Sequence, residues 1–349
     1  MRVDVCRLPS DTLGRMTRLW LLATFLLMLA THGSAASASP TAQEPDPNLQ
    51  TVRAILDEPD DQIDLTETKL IIDHMIDPSI DVAASLQQLD SMVKEVKANL
   101  PMIASSSAKV DALRKYLYVA GPWNANQPFR YDFDDPFGHD VRNKLLPTYL
   151  VSRKGNCVSM PFLFLLMGQR LGLDVTMSRA PAHLFIKYRN DSGQVINLEA
   201  TSGAYPKQDY SYRRDSPMTD EALANGIYLQ PLSKKQTVGE MVSVLLEFYD
   251  HARLHQRRID MAQLILAHDS KDVLAMLHAR AGYIGLEQQL VNAYLTPADF
   301  PPPLRLRVQQ LERNIRFWKS EAFAAGWRPT DEATDVKYLQ TIKRAQLVQ

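Results

Sequence analysis

The sequence predicts an α+β fold in which a small antiparallel sheet lies between two helical regions. Three observations carry that prediction: helical periodicity over residues 51–119, a hairpin pattern over 182–200, and helical periodicity again beyond Thr237. The 349 residues are 45% hydrophobic and 23% charged, enough to bury a sizeable core in one or two domains. Lys and Arg number 39 against 40 Asp and Glu, and no basic stripe follows the track of a phosphate backbone, so nucleic acid is not an expected partner.

The first element in chain order is a targeting segment. Residues 19–30 are an apolar run of 12, preceded by Arg15 and Arg18 and followed by the small residues 33–38. A basic stretch, an apolar run and an Ala-x-Ala site at 36–38 follow the order of a secretory signal, so 1–38 reads as a signal peptide and the protein as exported. Met16 opens a more compact signal than Met1 does. The run is shorter than the roughly 20 residues that cross a bilayer, so no stable membrane span is expected after cleavage. Residues 39–50, rich in Ser, Pro, Ala, Gln and Asp, read as a flexible leader.

Helices come next. Asp64 with Glu67 three residues later resembles a capping box and opens a helix over 65–76. Asp81 caps a second helix, with Leu86, Leu89, Met92, Val93 and Val96 on one face. The Pro, Gly, Asp and aromatic residues of 120–140 mark an ordered loop. An apolar helix over 162–173 stops at Gly172. Two β-patterns follow, 182–188 and 194–200, joined by the turn Asn190-Asp191-Ser192-Gly193. Residues 205–236 read as irregular, and helices resume over 242–254 and 304–325, with Pro301-Pro302-Pro303 as a breaker. Residues 267–277 have the cadence of a tetratricopeptide-repeat joint, with room for one or two units. The domain plan is therefore a globular domain over 51–236 followed by a C-terminal helical region over 237–349.

The chemistry centres on Cys157. Cleavage after residue 38 takes Cys6 away and leaves Cys157 as the one cysteine of the mature chain, so an internal disulfide is not expected and reactivity is. The competing role is a small buried hydrophobe. A nucleophilic thiol needs a lowered pKa, a base, and a group that orients the base. Cys157 lies where a loop becomes an apolar helix, at the positive end of the helix dipole. Pro161 would crowd a helix that began at Cys157, which moves the expected start toward Ser159. His183 opens the first hairpin strand and is the candidate base. If Arg189 pairs with Gln194, His183 lies opposite Ala200 and next to Glu199. Glu199, or Asn197 two residues earlier on the same face, can then hold the ring nitrogen turned away from sulfur. Candidate oxyanion donors are the backbone N–H of Cys157 and the indole N–H of Trp123.

These residues carry a resemblance. Gly155-Asn156-Cys157 before an apolar helix, then Ala180-Pro181-Ala182-His183-Leu184-Phe185, then Asn197-Leu198-Glu199-Ala200-Thr201, resemble the transglutaminase-like core of bacterial proteins of the SirB-type branch. The similarity covers roughly 50–285 and is most specific over 153–201. It implies a papain-like core in which Cys157 attacks an amide or ester carbonyl, His183 carries the proton and Glu199 orients His183. Classical transglutaminases have Asp where this chain has Glu199. The resemblance also implies a repeat-like helical tail and a Gram-negative periplasmic location. The expected function is cleavage or transfer of an acyl group at an amide bond of a peptide or protein. Members of that branch often lack the cysteine, so the alternative is a catalytically inert interaction protein that uses its groove and C-terminal helices.

Glu247, His251 and His255 recur at four-residue steps, but no HExxH motif or cysteine ligand accompanies them, so a helix face and not a metal site is expected. Asn190-Asp191-Ser192 fits both a turn and a glycosylation sequon. No phosphate-cradling glycine motif and no serine nucleophile elbow are present, and no cofactor is expected.

Overall fold

The computed structural model describes residues 46–329 together with 336 and 340. The predicted signal over 1–38 and Cys6 lie outside the described residues. Helix α1 (Pro47–Asp57) begins inside the stretch that the composition marks as leader. Its local chemistry explains the correction: Asp46 caps the helix at the Asn48 N–H, Pro47 supplies the first turn, and Val52 and Leu56 are buried. The Tyr249 hydroxyl donates to Asp46 at 2.9 Å and accepts from Asn48, which ties the start of α1 to a helix some two hundred residues later.

Helix α2 (Leu65–Ile76) has the predicted bounds, with the Asp64 carboxylate accepting from the Thr66 and Glu67 N–H groups. Helix α3 (Val82–Ala98) is capped by Asp81 and buries Leu89, Met92, Val93 and Val96. Helix α4 (Ser106–Tyr118) completes the N-terminal group. The loop after it is ordered as expected. Asp135 accepts hydrogen bonds from the His139 and Asp140 N–H groups and from the Asn143 side chain. Within it β1 (Arg130–Tyr131) pairs in parallel with β2 (Lys154–Gly155), and α5 (Leu146–Ser152), absent from the sequence reading, lies between them.

Helix α6 (Ser159–Arg170) is the central helix, buried from Ser159 through Gly168. It ends in a Schellman motif: Leu173 N–H reaches the Gly168 carbonyl, Gly172 N–H reaches Gln169, and Gly172 takes the left-handed φ of 71°. A four-stranded antiparallel sheet packs on it in the order β3 (Asp174–Ala180), β4 (His183–Arg189), β5 (Val195–Glu199), β6 (Tyr205–Pro206). The sequence shows the two inner strands, not β3 or β6.

The hairpin register differs by one residue from the expectation. Arg189 pairs with Val195, not Gln194. The reason is Asn190, whose side-chain oxygen accepts from Ser192 N–H, Ser192 Oγ and Gln194 N–H while its backbone N–H donates to the Gln194 carbonyl. Asn190 therefore faces Gln194, and every pair above it shifts.

The stretch read as irregular contains α7 (Asp209–Asp215) and α8 (Asp220–Ala224). Helix α9 (Lys234–His251) is buried along most of its length and packs on α2. Then follow α10 (His255–His268), α11 (Val273–Val291) and α12 (Pro302–Ala324), each packed on its predecessor. Pro302 and Pro303 form the first turn of α12, where a missing N–H costs nothing. One hydrophobic core runs from Val52 to Ala279 and so crosses the boundary drawn between 236 and 237. Buried ion pairs cross it too. Lys144 Nζ lies 2.8 Å from both Glu247 carboxylate oxygens, and Arg179 Nη1 lies 2.8 Å from Glu240 Oε1. Glu247 is thus committed to Lys144, and a Cβ on Gly285 would meet the His255 ring at 2.3 Å. Among the described residues, no helix is long and apolar enough to cross a membrane.

Candidate active site

The segment before α6 is built around Asn156. Its side-chain oxygen accepts from the Val158 and Ser159 N–H groups at 3.0 and 3.2 Å, and its own N–H donates to Ser159 Oγ at 3.1 Å. Gly155 is required beside it, since an added Cβ would meet the Tyr149 ring at 2.5 Å. Helix α6 begins at Ser159, and Pro161 falls in its first turn, where its ring is harmless. Cys157 therefore stands at the threshold of the helix and not within it, which weakens the pull of the dipole on its sulfur. Cys157 is 1% exposed, and its Sγ lies 3.9 Å from the Ala182 carbonyl oxygen.

Cys157 is joined in a disulfide, and the expectation of a lone thiol, which concerns the chain after removal of 1–38, falls on residues outside those described.

His183 enters β4 directly after the tight turn Ala180-Pro181-Ala182, in which Ala182 adopts a left-handed φ of 54°. Its Nε2 lies 2.8 Å from Glu199 Oε2. The one-residue shift in register makes this contact. Odd-numbered positions of β4 and β5 share a face, so Glu199 meets His183 diagonally; the register expected from the turn would have put the two side chains on opposite faces.

Glu199 is 4% exposed and holds several partners at once. Oε1 accepts from Thr201 N–H and Thr201 Oγ1 at 3.2 and 2.7 Å, and Oε2 accepts from the Tyr212 hydroxyl at 3.1 Å as well as facing His183. Lys207 Nζ stands 3.9 Å away. Burial alone would push this carboxyl up. The charge and hydrogen bond of His183, with Lys207 and Thr201, outweigh burial and hold it down at about 2. An ionised carboxylate only accepts, so the ring proton sits on Nε2 and Nδ1 is left as the nitrogen able to take a proton. Burial and the neighbouring Glu199 raise the Tyr212 phenol well above its usual range, so it stays a donor. Its ring stacks on Phe185 at 4.2 Å.

Cys157 and His183 line one cavity of about 50 Å³, together with Val158, Ala180, Leu184 and Leu274 among others. A larger concavity of about 820 Å³ opens on the side of Met160, Thr201 and Tyr205. The structure thus brings Cys157, His183 and Glu199 to one place. It does not bring the other two candidates there. Asn197 shares the Glu199 face but lies opposite Lys187, and it bonds Lys187 Nζ, the Lys207 carbonyl and Asp209. Trp123 donates its indole N–H to the Lys115 and Val119 carbonyls at the end of α4, so it closes a helix terminus and is not an oxyanion donor at Cys157. Tyr212 and Lys207 escaped the sequence reading because they lie in the stretch without periodicity. Thr201 was legible in principle, two residues after a strand-ending Glu.

No curated protein and no solved structure matches this chain. Residues 83–243, which carry α3 through the first half of α9 and with them Cys157, His183 and Glu199, match the transglutaminase-like superfamily and form a transglutaminase-like domain.

Proposed function

We propose that this protein is an exported thiol enzyme that cleaves or transfers an acyl group at an amide bond of a peptide or protein, with Cys157 as nucleophile, His183 as proton carrier and Glu199 as orienter. The observation that carries the reading is the 2.8 Å bond from His183 Nε2 to Glu199 beside a cavity whose wall includes Cys157. In the proposed reaction the Cys157 proton passes to His183 Nδ1 and an Sγ–C bond forms at the carbonyl carbon. The C–N bond then breaks, the amine leaves with the proton from His183, and water or a second amine releases the acyl group from sulfur. The attacking species is the thiol, and removal of 1–38 with Cys6 leaves Cys157 as the one cysteine of the exported chain. Export rests on the basic, apolar and small-residue order of 15–38, and a periplasmic location on the resemblance. The SirB-type branch is supported by the motif order over 153–201, and a repeat-like tail by the successive packing of α9 to α12.

The test is alkylation of the reduced protein by iodoacetamide across pH, read by mass spectrometry at Cys157. The expected midpoint lies below the roughly 8.5 of an ordinary thiol and moves upward in His183→Ala. An ordinary profile that His183→Ala leaves unchanged rules the enzyme out. One observation favours a second reading, an inert interaction protein: Cys157 is almost wholly buried. On that reading the reduced thiol labels slowly at every pH, and Cys157→Ser keeps the protein's function in cells.

A further inference from the structure

We infer that the acyl residue that reacts at Cys157 carries a side chain no larger than that of alanine or serine; the inference rests on the catalytic reading above. A group bonded to the carbonyl carbon lies within two bonds of the attacking sulfur, so its side chain must enter the recess that Cys157 and His183 themselves wall. That recess is the cavity of about 50 Å³. It is about a third of the roughly 150 Å³ that admits a benzene ring, yet several times the roughly 10–15 Å³ that holds one water. A methyl or hydroxymethyl group fits; a branched or aromatic side chain does not. The larger concavity is lined by neither Cys157 nor His183, so it can take more distant parts of a substrate and not this residue.

The walls are held against widening. They come from β3, β4, the segment around Tyr228, α9 and the start of α11, and Arg179 joins these elements. Its Nε donates to the Ile227 carbonyl at 2.9 Å and its Nη1 to Glu240 at 2.8 Å, with Asp272, the cap of α11, at 3.5 Å. Its backbone carbonyl accepts from Leu229 N–H. Moving Leu274 or Tyr228 outward would pull on this buried ion cluster. Glu240 and Arg179 also form the polar part of the lining, which suits a hydroxymethyl group as well as a methyl.

The experiment uses the reduced full chain and a series of peptidyl chloromethyl ketones that differ in one residue, that next to the ketone: Gly, Ala, Ser, Val, Leu or Phe. Sulfur displaces chloride to give a thioether, and its rate at Cys157 is read by mass spectrometry. The Gly, Ala and Ser reagents are expected to react at least about tenfold faster than the Leu and Phe reagents, in line with roughly 10–200-fold per misfitted methylene. Leu274→Ala is expected to narrow the gap between the Ala and Leu reagents, and Leu274→Val serves where the smaller residue prevents folding. Equal rates across the series, or a gap that neither variant changes, overturn the inference. Iodoacetamide separates the two levels. If its labelling still depends on His183 while the ketone series is flat, the size limit alone falls. If that dependence is absent, the catalytic reading falls and the size limit with it.

Discussion

Two buried carboxylates show how similar materials serve different ends. Glu247 and Glu199 are both removed from water and both face a basic side chain, Lys144 in one case and His183 in the other. Lys144 and Glu247 are fully sealed, at 0% side-chain exposure for each. They fasten the turn ahead of α5 to α9 and touch no cavity wall named for the site. His183 is 15% exposed and lines a cavity that Cys157 also lines. Burial and pairing therefore do not mark a reactive site. What separates the two pairs is that His183 shares a cavity wall with Cys157.

The comparison breaks most readily at its structural member. Lys144→Met leaves the Glu247 carboxylate buried without its cation, and unfolding in urea is expected to show a loss of about 3–5 kcal/mol. Adding Glu247→Leu is expected to return much of that loss, because an apolar pair of similar volume replaces the ionic one. No such rescue is expected at the other member: pairing His183→Met with Glu199→Leu should leave Cys157 labelling as slow as His183→Met alone.

The next effect is the pH dependence of stability. Glu199 is held at about 2 against an ordinary 4.5, so its contribution is fully present above about 4.5 and disappears as pH falls through about 2. At 1.36 kcal/mol per unit, that is up to about 3 kcal/mol. Glu199→Gln is expected to be less stable near neutrality and to show a flatter stability curve between those two pH values, measured by urea titration at each pH. An unchanged slope would mean that the carboxylate is not the charged partner of His183.

The smallest expected effect is at Tyr212, whose hydroxyl is one of several donors to Glu199. Tyr212→Phe removes one hydrogen bond to a charged group, worth about 1.5–3 kcal/mol, and keeps the stack on Phe185. The expected result is a small fall in melting temperature, with the iodoacetamide profile still dependent on His183.

Much of the site was legible in the chain because its signals are local. Asp64 and Asp81 are caps whose side chains reach N–H groups two or three residues away. Gly172 stops α6 by its own φ, and Pro161 places the helix start near Ser159 through its own ring. His183 at a strand start and Glu199 at a strand end follow from the hairpin pattern. The register did not follow, because the side chain of Asn190 chose among closures that differ by one residue. Asn197 was drawn to the site by sharing a strand face with Glu199 and Trp123 by its indole N–H, and other partners took their polar groups.

By itself, then, the sequence determined the starts of α2 and α3, the stop of α6 at Gly172, the presence of the hairpin, and the order of Cys157, His183 and Glu199, since each depends on groups within a few residues of one another. Tertiary structure alone decided that Glu199 shares a face with His183, that Lys207 and Tyr212 converge on its carboxylate, and that α9 and α11 wall the cavity beside Cys157. Those outcomes depend on which distant surfaces bury together and on a register that reverses every side chain when it slips by one, and neither leaves a periodic trace in the chain.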